Sequence, residues 1–578
     1  MSYNKENIVV LKFGSSVLHD ESDLPRAVHE IYRWWREGTQ VLAVVSAFGD
    51  KTDQLLRRAE SISEQPERAS LATLLATGEA ESSALLGIIL NRAGIPARVL
   101  DSVQAGLRTV GARLEADLVA VDTTRLKDEL RHGVVVLPGF VGRGENGDTT
   151  LLGRGGSDLT ALFLAQRLNA RCVLVKDVDG LYTSDPAGTE RAYRFEQASY
   201  ETASRLGGPV VQLKAVRFAE AHRLRFALTS IGAGTHTDVG PFNDRLSALN
   251  GSVEPLRVVL LGCGTVGGGV YERLAALPEL FTITGVGTRT GKRARAAGVP
   301  EHLITGDLEA LVDQPSDVVV ELIGGTRRAA SLTEQALGLG RQVISANKAL
   351  LATAGEALEK LAEKNGIILR YSAAVGGVMP ALESIKRAGT AGPLREFSGV
   401  LNGTCNFVLD RLTAGDNLAD AVCAAQEAGF AEADPQVDLK GLDAAHKLVL
   451  LSRAAFDVPL PLTSVRCIGI GGLNTDELQR ARDQGLVIRL VAECSLTPYG
   501  PKASVEPRLL PAEHPLAQVT GADNRLIIEP QIGAPSIISG KGAGRWPTSE
   551  AVMADLLEVR RNNRIAVDEC EDREECVA

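Results

Sequence analysis

The chain has 578 residues, of which 44% are hydrophobic and 23% are charged, and its formal net charge is −10. A chain of this length exceeds a single hydrophobic core, so we expect roughly two to four domains. The acidic balance argues against a general nucleic-acid binder, and the lack of about 18 uninterrupted apolar residues argues against a membrane span.

The eight cysteines form no C-x-x-C pair and no His/Cys cluster with zinc spacing. We interpret them as reduced thiols. The N-terminus, MSYNKENIVVLKFG, has no apolar signal segment and runs directly into a predicted strand. These features predict a cytoplasmic protein.

Apolar runs alternate with amphipathic helical stretches along most of the chain, as in NIVVLKF, QVLAVVSAF, LRVVLLG and DVVVELIGG. This pattern is typical of buried parallel strands with helices between them, so it predicts an α/β fold. A stretch rich in Gly, Pro, Asn and Asp predicts a linker. We therefore expect a first domain, a linker, a second domain, a third domain and an acidic tail at 1–237, 238–255, 256–390, 391–545 and 568–578, with 546–567 packing back on the second domain.

Two glycine-rich loops stand out in the first domain. Lys12 ends a predicted strand before Gly14 and Ser15, and LLGRGGSD precedes a predicted helix. Backbone N–H groups of such loops form anion sites, and Lys12 there would neutralise charge on a transferring phosphoryl group. Neither loop is a Walker A motif, and two ordinary glycine turns are the alternative interpretation.

Five segments in this order, KFGSS, VVSAFGDKTDQLL, ATGEAESSALL, LLGRGGSDLTA and VKDVDGLYTSDP, resemble the aspartate kinase branch of the amino-acid kinase family. The resemblance covers residues 7–237. It implies a mostly parallel sheet between helices and ATP-dependent phosphorylation of the aspartate β-carboxylate.

The same resemblance implies roles for individual residues. Lys12 would stabilise the transferring phosphoryl group and Asp158 would orient Lys12, while Glu79 would bind the substrate's ammonium group and Arg154 its α-carboxylate. Mg²⁺ would arrive with ATP, held largely by its phosphates. The remaining implied contacts are substrate residues Ser46 and Thr52, and nucleotide-side residues Gly14, Ser15, Gly155, Gly156, Ser157, Asp177, Asp179 and Tyr182.

Three positions depart from the family pattern. Ser15 replaces a second glycine, Lys176 replaces a Thr before DVDG, and Ala187 stands where an Arg is common. We expect the last two to affect ATP affinity rather than phosphoryl transfer. A ligand-sensing pseudokinase is the alternative, and the retained Lys12 and Asp158 argue against it.

The second domain opens on LRVVLLGCGTVGGGV, with Gly262, Gly264 and Gly267 spaced as G-x-G-x-x-G around Thr265 and Val266. The first Gly permits a tight turn, the second lets the backbone approach a pyrophosphate, and the third lets helix and strand pack closely. The following helix N-terminus would face the phosphates. A strand before and a helix after the glycines predict a dinucleotide site.

The residues after the second strand bear on the choice of cofactor. An NAD site usually has an acid about 20 residues beyond the glycines, whereas this chain has Arg289 and Lys292 there. NADP is therefore favoured over NAD, with an exposed, solvated turn as the alternative. Gly324, after the next buried strand, would let backbone lie against the ligand.

Two further segments contain candidate catalytic groups. Lys348 follows a predicted strand at the carboxyl edge of the sheet, where ligands bind. Asp443 and Lys447 are four residues apart and share one helix face. The pair is either a surface ion pair or a carboxylate that positions a proton-handling lysine.

Six segments in this order, GCGTVGGGV, ELIGG, ISANKALLA, AAVGGVMP, LNGTCNFVLD and AEADPQVDLKGLDAAHK, resemble homoserine dehydrogenase. The resemblance implies a Rossmann domain, an α+β substrate and dimerisation domain, and hydride transfer between NAD(P)H and aspartate semialdehyde. A different Rossmann oxidoreductase is the alternative.

This second resemblance also implies residue roles. Lys348 and Lys447 would handle protons, and Asp443 would orient Lys447. Glu432 would bind the substrate's amino group, with Thr404 and Asp438 nearby. Carbonyls of Val375 and Gly377 would bind Na⁺ or K⁺, although Ser372 stands where relatives are often acidic.

The whole chain thus resembles bifunctional aspartate kinase/homoserine dehydrogenases. Such relatives usually carry paired regulatory βαββαβ modules between the two enzymes, and the short linker here leaves no room for them. We expect no threonine inhibition through such modules. The resemblance also implies a homodimer or homotetramer, with small-molecule substrates and no nucleic-acid or membrane partner.

Overall fold

The fold is that of a computed structural model, which describes residues 7–188, 192–208, 210–247, 254–431 and 434–575, with side chains described up to residue 562. The chain divides into two compact units, Met1–Val253 with Arg560–Ala578, and Glu254–Val559.

The first unit alternates strands and helices along the sequence. Its strands are Ile8–Phe13 (β1), Gln40–Val45 (β2), Ala97–Val99 (β3), Arg108–Ala112 (β4), Glu115–Ala120 (β5), Val134–Pro138 (β6), Val141–Arg143 (β7), Thr149–Leu151 (β8), Arg171–Lys176 (β9), Phe195–Ser199 (β10), Phe226–Ser230 (β11), Thr237–Gly240 (β12) and Arg245–Leu246 (β13). Its helices are Leu24–Arg36 (α1), Lys51–Ile62 (α2), Arg68–Ala93 (α3), Thr123–Leu130 (α4), Gly156–Leu168 (α5), Tyr200–Leu206 (α6) and Leu213–Ala221 (α7).

Nine of these strands form one sheet in the order β13-β10-β12-β11-β9-β1-β2-β6-β3. All six residues of β1 are buried, as expected for a central strand covered on both faces. β1 is parallel to β9, with Lys12 opposite Leu174 and Phe13 opposite Val175. The carboxyl ends of β1 and β9 therefore lie side by side, and both carry lysines.

The predicted linker is partly structured. β12 and β13 belong to the nine-stranded sheet, and Val239 is fully buried in the first unit's core. These strands are short and β13 is exposed, so the segment needs few apolar residues and its composition resembles that of a linker. Residues 248–253 lie outside the described residues.

Helix α3 is the one helix among the described residues that is long and apolar enough to cross a membrane by length and composition. The helix carries Glu79 and Ser83 on its buried face and contributes Leu71 and Leu75 to an apolar cluster. We interpret it as a core helix.

The second unit also begins with alternating elements. Its strands are Leu256–Leu261 (β14), Phe281–Gly287 (β15), Ile304–Thr305 (β16), Val318–Glu321 (β17), Gln342–Ser345 (β18), Leu369–Arg370 (β19), Leu394–Val400 (β20), Arg466–Cys467 (β21), Leu486–Thr497 (β22), Gly500–Pro511 (β23), Asp523–Pro530 (β24) and Ser536–Lys541 (β25). The helices that follow in chain order are Thr265–Ala275 (α8), Lys292–Ala296 (α9), Leu308–Asp313 (α10), Arg327–Gly338 (α11), Lys348–Lys364 (α12), Ser372–Gly376 (α13), Ala381–Ala391 (α14), Gly403–Thr413 (α15), Leu418–Glu427 (α16), Gln436–Leu439 (α17), Leu442–Phe456 (α18), Thr475–Asp483 (α19) and Arg545–Glu575 (α20).

A six-stranded parallel sheet, β16-β15-β14-β17-β18-β19, forms the first half of this unit. Ala551, Met553 and Leu557 of α20 are buried in its core with Val258 and Val270. The part of α20 before residue 560 therefore packs on this sheet. The helix continues to Glu575, inside the predicted acidic tail.

The other half is a mostly antiparallel sheet, β21-β23-β22-β20-β24-β25. Its core includes Phe397 and Leu448, together with Tyr371 and Ile385 from before the predicted boundary at residue 391. The α13–α14 segment therefore packs with the antiparallel half, because its apolar side chains face that core.

Candidate active sites

The first site lies at the carboxyl ends of β1 and β9. Lys12 Nζ lies 2.8 Å from Asp158 Oδ1, and Lys176 Nζ lies 3.0 Å from Asp158 Oδ2. All three residues are nearly fully buried. Burial acts to raise the pKa of Asp158, but the two ammonium groups outweigh it and hold the pKa below its usual value.

Glycines shape two turns around these charges. A Cβ at Gly14 would lie 2.6 Å from Lys12 Nζ, so a larger residue there would displace the ammonium group from its present position. Gly155 precedes α5 with φ +76°, and a Cβ there would lie 2.4 Å from Gln212. Asp158 lies in the first turn of α5 and contacts both lysines, so the N-terminus of α5, whose N–H groups attract an anion, lies beside them.

Glu79 is a buried carboxylate without a full set of partners. It is 3% exposed, and its Oε2 has no hydrogen-bond partner. Burial raises its pKa to about 7, although a hydrogen bond with the Ala47 backbone and the charge of Lys12 oppose the rise. An unsatisfied buried carboxylate is costly to a fold and suits a bound cation.

The structure places the remaining predicted substrate residues of this unit on three different elements. Ser46, half-buried just after β2, accepts a hydrogen bond at its carbonyl from Ser82. Thr52 is half-buried in the first turn of α2, and Arg154 is exposed in the loop before α5. Ser46 follows β2, which pairs with β1, and Arg154 precedes α5, which carries Asp158.

The loop after β9 has its own polar network. Tyr182 Oη donates to Asp179 Oδ1 at 2.5 Å, and Thr235 Oγ1 donates to Asp179 Oδ2 at 2.6 Å. Asp177 is exposed. Asp179 and Tyr182 thus brace this loop, leaving Asp177 accessible at its start.

The second site begins at the glycine turn after β14. A Cβ at Gly267 would lie 2.1 Å from the Gly262 carbonyl oxygen, and a Cβ at Gly262 would lie 2.6 Å from the Leu322 carbonyl oxygen. At Gly264 the nearest atom to such a Cβ, from Arg293, is 3.8 Å away. The first and third glycines permit packing, and the second leaves open space.

A cleft of about 890 Å³ opens at this turn. Its described lining contains Gly324 and four cationic side chains, and none of these lining residues is acidic. The cations are Arg289, Lys292, Arg293 and Arg328. Such a lining suits an anionic ligand.

Two lysines share one carboxylate in the substrate half. Lys447 Nζ lies 3.1 Å from Asp443 Oδ2, and Lys348 Nζ forms an ion pair with Oδ1. Burial acts to raise the pKa of Asp443, but both lysines outweigh it and hold the pKa far below its usual value. Burial lowers the pKa of Lys447 despite the opposing effect of Asp443. Asp443 and Lys447 are buried, which excludes a surface ion pair, whereas the side chain of Lys348 is 38% exposed.

Asn402 connects the triad of Lys348, Asp443 and Lys447 to a second carboxylate, that of Asp438. Its Nδ2 donates to Asp443 Oδ2 at 2.9 Å and to Asp438 Oδ1 at 2.7 Å. Burial, with the nearby charge of Asp443, raises the pKa of Asp438. Thr404 Oγ1 donates to the Phe430 carbonyl at 2.6 Å. The Asn402 contacts bring Asp438 next to Asp443, and Thr404 follows Asn402 in the first turn of α15.

Three family models match the chain. They describe the amino acid kinase family over residues 7–228, the NAD-binding domain of homoserine dehydrogenase over 262–372, and homoserine dehydrogenase over 380–557.

Named proteins resemble the second part of the chain. The homoserine dehydrogenase of Synechocystis sp. is 34% identical over 53% of this chain and 73% of its own length, and that of Neisseria gonorrhoeae is 32% identical over 54% and 73%. A crystal structure of a homoserine dehydrogenase from Thiobacillus denitrificans is 34% identical, with a TM-score of 0.51, over 54% of this chain and 74% of that one. The chain belongs to the homoserine dehydrogenase family.

This family member carries an amino acid kinase domain ahead of its dehydrogenase, the arrangement of a bifunctional aspartate kinase/homoserine dehydrogenase. The predictions of an α/β fold, of two enzymes in one chain and of a nicotinamide cofactor domain are confirmed.

The homoserine dehydrogenase site unites residues that are distant in sequence. Lys348 is the first residue of α12, and Asn347, its N-cap, accepts a hydrogen bond from Leu350 N at 3.1 Å. Asp443 and Lys447 come from α18. Glu432 lies outside the described residues.

A buried network supports Lys348 and was missed from the sequence. Fully buried Glu321 accepts from Ser345 Oγ at 2.6 Å, and Asn347 Nδ2 donates to the Gly325 carbonyl at 2.6 Å. Burial raises the pKa of Glu321. An acid ending a strand before two glycines was the available signal.

The expected effect of Lys176 on ATP affinity stays a prediction. The structure adds a contact that the sequence did not predict, because Lys176 donates directly to Asp158. The reason is the register of β9 against β1, which sequence reading did not consider.

Proposed function

We propose that the first unit phosphorylates the β-carboxylate of L-aspartate with ATP, and that the second interconverts aspartate 4-semialdehyde and L-homoserine. The observation that supports the kinase best is the buried, unsatisfied Glu79 carboxylate close enough to Lys12 for their charges to interact. An amino-acid substrate supplies the ammonium group that this carboxylate lacks.

Two opposite charges would orient aspartate. Glu79 accepts from its ammonium group, and the guanidinium of Arg154 binds its α-carboxylate through two parallel hydrogen bonds. Ser46 and Thr52 border the same space. The β-carboxylate is then the end left free to attack.

The transferring phosphoryl group would lie between the two glycine turns. Lys12 and the N–H groups of Gly14 and Ser15 balance its charge on one side, and the turn at Gly155, Gly156 and Ser157 on the other. Asp158 stays ionised and holds Lys12 in place. Asp177, Asp179 and Tyr182 border the nucleotide, and Mg²⁺ is carried largely by the ATP phosphates.

Aspartyl-hydroxamate formation tests this kinase assignment. With hydroxylamine present, the purified full chain should form hydroxamate only when ATP and aspartate are both added. A chain that binds ATP but forms no hydroxamate would support the pseudokinase alternative.

The dehydrogenase proposal is best supported by the Lys348–Asp443–Lys447 triad. A reduced nicotinamide held at the glycine turn would supply the hydride for the semialdehyde carbon. Lys348 and Lys447 would donate a proton to the carbonyl oxygen. Asp443 remains ionised and fixes both ammonium groups, while Thr404, Asp438 and Glu432 contact the substrate.

NADP is the cofactor we propose. Gly262, Gly264 and Gly267, with Thr265 and Val266, form the pyrophosphate turn, and Gly324 borders the nicotinamide end near Lys348. Arg289 and Lys292 would bind the 2′-phosphate, since phosphate recognition uses charge-assisted hydrogen bonds.

A Na⁺ or K⁺ ion at the carbonyls of Val375 and Gly377 remains a proposal. Ser372 has no carboxylate, but its N–H donates to Asp555 Oδ2 at 3.2 Å, so a carboxylate from α20 reaches this turn. This carboxylate supplies the negative charge that Ser372 lacks, and we assign no catalytic step to the ion.

Lys447→Ala separates homoserine dehydrogenase from another Rossmann oxidoreductase. We expect homoserine oxidation with NADP to fall by several orders of magnitude, because Asp443 and the substrate oxygen lose the same ammonium group. Homoserine oxidation that survives this change would contradict the assignment.

We also propose a homodimer or homotetramer in the cytoplasm. Tyr499, Leu509 and Ile532 of the antiparallel half are largely exposed apolar residues, and exposed apolar patches mark protein contacts. Light scattering of the purified chain measures the oligomer.

The cytoplasmic location is supported by the six described cysteines, which are free. Free thiols suit a reducing compartment.

A further inference from the structure

The two lysines on Asp158 leave the charge of this cluster unbalanced. Lys12 Nζ lies 2.8 Å from Asp158 Oδ1, and Lys176 Nζ lies 3.0 Å from Oδ2 and 3.2 Å from Oδ1 of the same carboxylate. Two ammonium groups and one carboxylate leave one positive charge in excess. Lys12 is 5% exposed and Lys176 is 7% exposed, so water screens this charge poorly.

The hydrogen-bond donors of this cluster also outnumber its acceptors. Two ammonium groups offer more N–H donors than one carboxylate accepts. The hydrogen bonds described for Lys176 Nζ both go to Asp158, at 3.0 and 3.2 Å. A purely structural ion pair needs only one lysine, so the second one suits an anionic ligand.

The strand register places Lys176 on the nucleotide side. Phe13 pairs with Val175, so Lys176 lies one position further, beside the turn that starts at Gly14. Lys176 also directly precedes Asp177, the first residue of the nucleotide-side loop. Lys12 and Lys176 therefore border the proposed phosphate position from two neighbouring strands.

We propose that Lys176 is a second phosphate-binding cation of the kinase, held by Asp158 and contacting the terminal phosphates of ATP. This inference rests on the proposed aspartate kinase function. An oxygen of the aspartate β-carboxylate forms a bond to the γ-phosphorus, and the bond from that phosphorus to the bridging oxygen breaks. The electron pair leaves with ADP, and no proton moves.

Two cations suit this reaction because negative charge spreads over the transferring group and the leaving oxygen. Lys12 and Lys176 come from different strands, so they can contact different phosphate oxygens while Asp158 fixes their separation. Asp158 then orients both lysines rather than Lys12 alone.

The site also has a characteristic pH response. Burial and the nearby charge of Lys12 lower the pKa of Lys176 to about 8, opposed by Asp158 and Asp177. The pKa of Glu79, about 7, affects the low-pH side of the kinase activity profile. Burial raises the pKa of the Cys172 thiol, so Cys172 does not ionise in this pH range. Loss of the Lys176 proton above pH 8 therefore weakens binding of free ATP.

Substitutions of Lys176 in the full chain test the inference, with ADP release as the kinase assay and homoserine oxidation in the same sample as a control for folding. For Lys176→Met, we expect kcat/KM for ATP to fall roughly 10²–10³-fold, the usual loss for one donor to a developing negative charge. The KM for aspartate should change little. Lys127→Met, at the opposite end of the sheet beside Ile8, is the matched control and should behave like the unsubstituted chain.

Lys176→Arg provides the second readout. A guanidinium does not titrate in this range, so the variant should keep part of the activity and lose the fall in kcat/KM for ATP above pH 8. If Lys176→Met loses both enzyme activities, Lys176→Arg provides the test instead. The proposal is overturned if kcat/KM for ATP falls above pH 8 in Lys176→Arg as it does in the unsubstituted chain.

The proposal is also overturned if Lys176→Met keeps the unsubstituted chain's kcat/KM for ATP. If the unsubstituted chain releases no ADP with aspartate, the aspartate kinase function itself fails, which is a distinct result.

Discussion

Single side chains determine most of the proposed chemistry, and only some of their contacts could be predicted from the sequence. Asp443 and Lys447 were identifiable because their spacing puts them on one helix face. Their contact with Lys348 was not, because it depends on how α12 and α18 pack. The contact of Lys176 with Asp158 was not predictable for a similar reason, since only strand register brings the two side chains together.

Glu79 provides the first test at this scale. Because burial raises its pKa to about 7, its charged form, which binds the ammonium group, is lost as the pH falls below 7. We expect kcat/KM for aspartate, measured by ADP release, to rise between pH 6 and 8.

Glu79→Gln should remove this rise and weaken aspartate binding. Glu81→Gln, on the exposed face of the same helix, is the control and should retain the profile. A rise that persists in Glu79→Gln would show that another group titrates.

The same carboxylate should also cost stability. Its folded pKa lies above the usual value, so the unfolded chain ionises more readily and stability falls as the pH rises from about 4.5 through 7. Glu79→Gln should therefore raise Tm at pH 8 but not at pH 4. Thermal unfolding that shows no pH dependence of this difference would contradict the assigned burial.

Arg289 tests the cofactor preference. Arg289→Ala should raise the KM for NADP by roughly 10–100-fold, the effect of losing a hydrogen bond to a charged group. The KM for NAD should change little, because NAD lacks the 2′-phosphate. Equal changes for both cofactors would argue that Arg289 only shapes the cleft.

At the scale of elements, the glycine turn before α8 was predicted well because each glycine has a distinct steric reason. The network around Glu321 and the strands β12 and β13 were not predicted. Short edge strands have too little apolar sequence to distinguish them from a linker, and a buried acid ending a strand reads as an ordinary loop residue.

The turn gives a matched pair of alanine variants. Gly267→Ala would place a Cβ 2.1 Å from the Gly262 carbonyl oxygen, whereas at Gly264 the nearest atom is 3.8 Å away. We expect Gly267→Ala to lower Tm. Gly264→Ala should keep Tm and weaken NADP binding, as measured by calorimetry. The reverse pattern would contradict the roles assigned to the two glycines.

At the scale of the whole molecule, ordered motifs predicted both enzymes and their order. Only residues 229–261 lie between the amino acid kinase match and the NAD-binding match. A paired regulatory module does not fit in this interval. We therefore expect both activities to show no cooperative inhibition by millimolar threonine or lysine, assayed on one preparation. Strong sigmoidal inhibition would contradict this.

The central claim is that one chain contains two separate active sites. It is tested most directly by assaying aspartyl-hydroxamate formation and NADP-dependent homoserine oxidation on the same preparations of the unsubstituted chain, Lys12→Ala and Lys447→Ala. The unsubstituted chain should perform both reactions, Lys12→Ala should lose only the first, and Lys447→Ala only the second. A chain that lacks either reaction, or a variant in which the unaltered site's reaction also disappears, would contradict the claim.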